Sequence, residues 1–281
     1  MRVVAAIPAR FGSQRLPGKP LLPLGGLPIV AHVIRAAQAA RLVKDVIVAT
    51  DHPEIASVAE REGATAVMTD SSLPSGTDRI EAALRLIGAT HDVVVNVQGD
   101  EPLLDPQAID LTARLLIGCP DADMSTLSAP LPSQALLDPN KVKVVCRPAG
   151  EASRSADSPA HVETPASYPH GLALYFSRGP IGVERGQLSA LLGGSACNSN
   201  EAPVGHHACR LHLGIYGFRI ASLRRFVALP PSQLEKLEKL EQLRALEAGM
   251  QILVGEVTHA PHGIDTLADL EAARALLGLG E

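Results

Sequence analysis

Val3-Val4-Ala5-Ala6-Ile7-Pro8-Ala9-Arg10, and behind it Arg15-Leu16-Pro17-Gly18-Lys19-Pro20-Leu21, decide the reading of this chain. Val3–Ile7 is a continuous apolar run, the pattern of a strand buried on both faces. It runs into a loop carrying three cations (Arg10, Arg15, Lys19), two glycines (Gly12, Gly18) and a hydroxyl (Ser13). Backbone N–H groups freed by glycine, together with fixed positive charge, suit a polyphosphate. In open α/β sheets the loop beyond the carboxyl end of a strand is also where ligands bind. The loop spells neither GxxxxGK[ST] nor GxGxxG, and Gly25-Gly26 reads as a turn before the first helix. A solvated basic loop is the plain alternative. For Arg15 a structural salt bridge fits equally well.

Outward from that unit, short apolar runs alternate with helical periodicity. Strands are predicted at Val3–Ile7, Val46–Ala49, Ala66–Met68 and Val93–Val97. Helices are predicted at Ile29–Ala40, Glu54–Glu62, Asp78–Ile87 and Pro106–Leu116, with Val30, Val33 and Ile34 sharing one face. The alternation predicts an α/β fold with a doubly wound, mostly parallel sheet. In the second half Met124–Pro130, Val142–Val145, Leu172–Ser177 and Leu211–Phe218 read as strands without regular helices between them, which predicts a smaller mixed subdomain. Two Ser-, Pro-, Ala- and Gly-rich stretches, 148–170 and 193–207, are expected to be flexible surface loops. Ser232–Ala248 reads as one helix, opened by a capping box of Ser232 and Glu235. A strand at Ile252–Val257 and a helix at Leu267–Leu277 close the chain, and residues 1–281 are read as one domain.

Composition narrows the function. With 281 residues, 46% of them hydrophobic, there is ample material for a core. A net charge of −5 and only four Phe, three Tyr and no Trp disfavour a nucleic-acid-binding module, which would use bulk positive charge and stacking platforms. The four cysteines form no CxxC pair. Cys197, His206, His207 and Cys209 cluster in sequence, and a polar surface loop explains them better than a metal site. The start lacks a signal-peptide cleavage site and no run reaches about 18 apolar residues, so a cytoplasmic protein with reduced thiols and no membrane insertion is expected.

Further constellations carry chemistry. Asn96-Val97-Gln98-Gly99-Asp100-Glu101-Pro102 closes a strand, so Asp100 is placed to hold Mg²⁺ against phosphate oxygens. Gly99 lets backbone approach a ligand, and the Gln98 amide can read a base or sugar edge. A simple turn with a helix cap is the competing explanation. Asp265 also stands between a strand and a helix. It offers a second carboxylate for the same metal, or it and Thr266 merely cap the helix. Arg79, in Ser75-Gly76-Thr77-Asp78-Arg79, points at an anionic or carbonyl group or makes a surface ion pair. Tyr175-Phe176-Ser177-Arg178 and Arg210-Leu211-His212-Leu213-Gly214-Ile215-Tyr216 gather aromatic residues. His212 alternates with apolar neighbours there, a pattern more often structural than catalytic.

These segments resemble the 3-deoxy-manno-octulosonate cytidylyltransferases, the CMP-Kdo synthetases. The likeness runs from Val3 to about Leu277 through IPARFGSQRLPGKPL, IVATDHPEI, SGTDR, NVQGDEP, LALYFSR, HLGIYGFR, LEKLEQLRALEAG and GIDTLADLEAAR. The CMP-sialate synthetases share IPAR and GS but usually continue with Lys-Asn where Gly18-Lys19-Pro20 stands here. The resemblance implies a nucleotidyltransferase α/β fold of the nucleotide-diphospho-sugar transferase type, a homodimer with its contact at about 171–220, and Mg²⁺. It implies transfer of CMP from CTP to Kdo with release of pyrophosphate, for lipopolysaccharide synthesis. By position it places Arg10, Ser13, Arg15, Lys19, Arg79 and Gln98 about CTP, and Asp100 and Asp265 on the metal. Arg178, His212, Tyr216, Glu238 and Gln242 fall near the sugar acid. The chain departs from the family in the length of 148–170 and 193–207, and in Gly179-Pro180-Ile181-Gly182-Val183, where a Pro-Trp stretch is commoner. Another sugar nucleotidyltransferase, or a catalytically silent paralogue, is the alternative. Silence is disfavoured because every charged residue just named is retained.

Overall fold

The computed structural model describes residues 1–12, 16–148, 170–184, 208–261 and 263–277. Ser13, Arg15, Cys197, His206 and His207 lie outside the described residues, as do most of the 148–170 stretch and all of 193–207. Strand β1 (Val3–Ala9) leads through a short 3₁₀ turn (Lys19–Leu21) and a two-residue hairpin, β2 (Pro23–Leu24) and β3 (Leu27–Pro28), into α1 (Ile29–Ala39). Then follow β4 (Val43–Thr50), α2 (Pro53–Arg61), β5 (Thr65–Met68), α3 (Gly76–Leu86), β6 (Val93–Asn96) and α4 (Pro106–Gly118). The second half runs β7 (Met124–Ala129), β8 (Lys143–Pro148), β9 (His170–Ser177), β10 (Cys209–Arg219), α5 (Ile220–Ala228), α6 (Gln233–Glu238), α7 (Gln242–Glu247), β11 (Ile252–Glu256) and α8 (Leu267–Leu276).

Among the described residues nine strands form one sheet in the order β5-β4-β1-β6-β10-β7-β11-β9-β8. β5, β4, β1 and β6 are mutually parallel, and so are β7 and β11. β10 enters antiparallel between β6 and β7. β8 also pairs with β10, so β10, β7, β11, β9 and β8 close on one another as a ring. This is the expected α/β sheet with its smaller mixed part.

Strand β1 shows why the sheet is wound on both faces. Val3, Ala5, Ile7 and Ala9 enter the core under α1, α2 and α4, while Val4 and Ala6 enter the one under α3 and α5. A period of two divides an all-apolar strand between two cores. Each buried Val or Ile contributes about 2 kcal/mol. With both faces occupied, ligands are left the strand ends.

Two expectations change. The single helix expected over Ser232–Ala248 is two helices, α6 and α7. Lys239 takes a left-handed conformation (φ 55°), and its N–H closes α6 on Glu235 O. The Glu238 carboxylate just before the break accepts from Ser177 Oγ (2.8 Å) and Arg178 N (2.9 Å). Tertiary bonds thus hold a break that the local helical pattern does not announce. The other change is α5, whose one short stripe of Leu223 and Phe226 is buried but does not mark a helix in the sequence.

Candidate active site

The cleft lies beyond the carboxyl ends of β1 and β6. It has a volume of about 490 Å³ and is lined by Arg10, Lys19, Arg79, Gln98, Asp100 and Asp265, among others. Two glycines shape it. Gly18 adopts φ 67°, which lets its N–H reach Phe11 O (3.2 Å) and turns the chain so that Lys19 points inward. A Cβ on Gly99 would stand 2.9 Å from Pro8 O, so only glycine lets the loop after β6 lie against the end of β1.

Lys19 is the centre of this cleft. Its Nζ donates to Asp100 Oδ2 (2.7 Å), Ile264 O (2.7 Å) and Asp265 Oδ1 (3.0 Å). The lysine side chain is 11% exposed, against 36% for Asp100 and 56% for Asp265. Ile264 N donates to Asp100 O (2.9 Å), which pins the loop before α8 to the loop after β6. The cap of α8 is Thr266, in a full capping box with Asp269, while Asp265 points its carboxylate at Lys19. The Asp265 carboxylate therefore stands outside the cap, while its N–H joins it by donating to Asp269 Oδ2 (3.0 Å).

The neighbouring cleft residues follow. Arg10 lies exposed at the end of β1. Arg79 is 2% exposed, so it is no surface residue; it donates to Thr69 Oγ1 (2.6 Å) and pairs with Asp51 Oδ2 (3.2 Å). Phe11 N donates to the other oxygen of Asp51 (3.1 Å). The Arg79–Asp51 pair thus anchors the loop after β1, with Arg79 lining the cleft. Gln98 donates to Gly214 O (3.1 Å) across a register shift between β10 and β7. Such an irregularity turns backbone groups out of the ladder and toward a site.

Glu101 was not singled out by its sequence. Burial, helped by Asp100 and Asp265, pushes its carboxyl up to about 8, and its Oε2 is buried without a hydrogen-bond partner. Its only sequence signal was its place in NVQGDEP beside Asp100. Glu241 likewise carries no signal in its sequence. It is held by the Thr77 hydroxyl at the start of α3, and burial raises its carboxyl.

Behind the charged cleft stands a neutral polar group. His212 is buried and burial drives its imidazole down to about 3, so it is neutral. The Thr126 hydroxyl donates to Ile215 O (2.7 Å), which leaves its oxygen to accept from His212 Nε2–H (3.0 Å). The His212 ring lies 4.9 Å from Phe176 and 5.5 Å from Tyr216, centroid to centroid. Burial, Glu241 and Glu101 raise the Tyr216 phenol, so it keeps its proton. Gln242 is buried and its Nε2 has no partner. Arg178 stands apart from this group. Its guanidinium donates to the carbonyls of Glu238 (2.7 Å) and Pro139 (2.9 Å). With Glu238 it secures the α6–α7 break against the end of β9.

The site can hold a hard cation. Asp100, Asp265 and Ile264 O offer three oxygens that already converge on one ammonium, a stand-in ion at 2.7–3.0 Å. Hard oxygen donors, few enough to leave positions for phosphate oxygens and water, are the set that suits Mg²⁺.

Comparison with known proteins identifies the family. A family model described as Cytidylyltransferase matches residues 4–252. A 3-deoxy-manno-octulosonate cytidylyltransferase of Anaeromyxobacter sp. (strain Fw109-5) is 44% identical over 99% of this chain and 98% of its own. One of Bdellovibrio bacteriovorus is 41% identical at the same coverage. A solved CMP:2-keto-3-deoxy-manno-octonic acid synthetase complexed with CTP superposes with a TM-score of 0.80 at 33% identity, covering 99% of each chain. Among the described residues no helix is long and apolar enough to cross a membrane.

Proposed function

The chain belongs to the family of 3-deoxy-manno-octulosonate cytidylyltransferases, and from that premise we propose how its cleft transfers CMP from CTP to Kdo. The observation that carries the reading is the convergence of Asp100, Asp265 and Ile264 O on a single cation position beside Arg10 and Gln98. The anomeric hydroxyl of Kdo loses its proton to solvent as its oxygen forms the new bond to the α-phosphorus of CTP. The bond from that phosphorus to the bridging oxygen breaks, and pyrophosphate leaves with the electron pair. Asp100 and Asp265 would hold Mg²⁺, which when bound supplies positive charge at the α-phosphate. Arg10 and Lys19 neutralise the triphosphate and the leaving group, with Ser13 and Arg15 completing the loop. Arg79 fixes the nucleotide-side loop through Asp51, and Gln98 faces the cytidine end.

Kdo is itself an anion, yet the group behind the cleft is neutral. His212, Tyr216 and Gln242 recognise its hydroxyls, and the orphaned Gln242 Nε2 marks a donor that a ligand oxygen would satisfy. Arg178 and Glu238 act at one remove, through the backbone they hold. We place the homodimer contact at about 171–220, where Leu174 is exposed on β9. The enzyme works in the cytoplasm, where CTP is made, and feeds lipopolysaccharide synthesis.

Pyrophosphate release from each of the four nucleoside triphosphates, with and without Kdo and with a sialic acid as rival acceptor, tests the function. Release with CTP and Kdo alone is expected. Kdo-independent release or a sialate preference overturns the reading.

A further inference from the structure

Lys19 Nζ has three protons and donates to three oxygens, so its hydrogen-bonding capacity is spent within the protein. None is left for a phosphate oxygen. The oxygens it occupies are those assigned above to a divalent cation, and an ammonium and a metal ion cannot fill one volume. The nest itself is built from two loops locked by the Ile264 N–H to Asp100 O bond, so it does not depend on Lys19 for its shape. It is also acidic: Asp100 and Asp265 both meet the one ammonium. Carboxylates so close repel unless a cation sits among them.

We infer that Lys19 is a tethered resting cation that exchanges places with the metal. Without nucleotide the ammonium fills the nest. When metal enters, Nζ leaves, and the triphosphate that arrives with the metal is the anion it moves to. Its four-carbon stem, rooted in the 3₁₀ turn at Lys19–Leu21, allows that swing without moving the backbone. Metal and nucleotide binding are thereby coupled, because each supplies what the other displaces. The consequence for the reaction is a graded affinity: metal enters the nest weakly while Lys19 competes for it, and more tightly once a triphosphate is present to receive Lys19. This rests on the metal-assisted transfer proposed above, and it goes further in making Lys19 a competitor of the metal as well as a ligand of the nucleotide.

Two measurements without nucleotide test it. In the first, Mn²⁺ is titrated into the wild-type protein and into Lys19→Met, with free ion read by electron paramagnetic resonance. Removing the resident cation should tighten Mn²⁺ binding roughly tenfold, the equivalent of one charged hydrogen-bond set lost by the competitor. In the second, Lys19 of the wild-type protein is pulse-acetylated with and without Mg²⁺ and mapped by mass spectrometry, with exposed Lys236 as internal control. Mg²⁺ should speed acetylation of Lys19 several-fold and leave Lys236 unchanged. Equal or weaker Mn²⁺ binding by folded Lys19→Met, or a labelling rate indifferent to Mg²⁺, overturns the exchange while leaving the metal reading intact. If the variant does not fold, the labelling result decides. Failure of the wild-type protein to bind Mn²⁺ at millimolar concentration overturns the metal reading and this inference together.

Discussion

The charged cleft and the polar group behind it are two ends of one region that handle polarity in opposite ways. At the strand ends of β1 and β6 the groups are charged and half open to water: Asp265 is 56% exposed, and its charge is met by Lys19. Around β10 the polar groups are enclosed and uncharged, with His212 neutral and Tyr216 protonated. The first end suits a strongly anionic, hydrated triphosphate. The second suits hydroxyls that must be read one at a time, where an unpaired buried group is costly and therefore selective. The difference follows from the sheet. Parallel strands buried on both faces leave only loops for charge, whereas the closed ring from β10 to β8 encloses its side chains.

Breaking the charged end should give the largest effect. Asp100→Asn or Asp265→Asn removes charge where the transition state needs it, and kcat/KM should fall by about 10³ or more. The melting temperature should stay near that of the wild type, because both carboxylates are partly solvated. Near-normal turnover at saturating Mg²⁺ in either variant would dissolve the contrast between the two ends.

Arg79 stands at the boundary and should respond the other way. Its pair with Asp51 is buried, and Asp51 also holds the Phe11 N–H. Arg79→Met leaves that carboxylate unpaired, at a cost of about 3 kcal/mol in stability by urea unfolding. A loss in activity without that loss in stability would make Arg79 a ligand of the nucleotide and not an anchor.

How much of this could be read beforehand depends on how local each cause is. Val3–Ile7 and Val93–Val97 are legible because a strand buried on both faces is apolar at every position. Asp100 and Asp265 are legible because each follows a strand, the one place where an open sheet admits a ligand. What the chain order hides is that Lys19 reaches both: its bond to Ile264 O spans 245 residues. The break at Lys239 is hidden for a like reason, since Ser177 and Arg178 hold it from another strand. Glu101 is hidden because an acid beside an acid reads as solvated surface, and only the fold shows its carboxyl enclosed.

The neutral end can be sharpened by pH. The His212 imidazole is depressed to about 3 in the native protein, below its ordinary value of 6.5. Between those values the unfolded chain binds a proton that the native chain refuses, so stability rises with pH across that window and is lost as pH falls through it. For this one group the loss between pH 6.5 and pH 5 is about 1.5 kcal/mol. His212→Gln should lack it, so its stability by urea unfolding should fall less steeply over that range. An equal slope would mean that His212 takes up its proton in the fold, and the enclosed end would then be open to charge.

The smallest effect falls where the charged end meets a helix. Thr266 caps α8 by accepting from Asp269 N, while Asp269 accepts from Asp265 N and Thr266 N. Thr266→Ala removes half of that box and should cost about 1 kcal/mol in thermal stability. Activity should fall less than threefold, because the loop that carries Asp265 is also pinned by the Ile264 N–H to Asp100 O bond. Asp265→Asn should show the converse, an intact fold with little turnover. The pair separates two residues that adjoin in sequence and share one turn, one serving the helix and the other the cleft. If Thr266→Ala proves as damaging to turnover as Asp265→Asn, the cap and the cation nest are one mechanical unit, and the charged end is less independent of its scaffold than its solvent exposure implies.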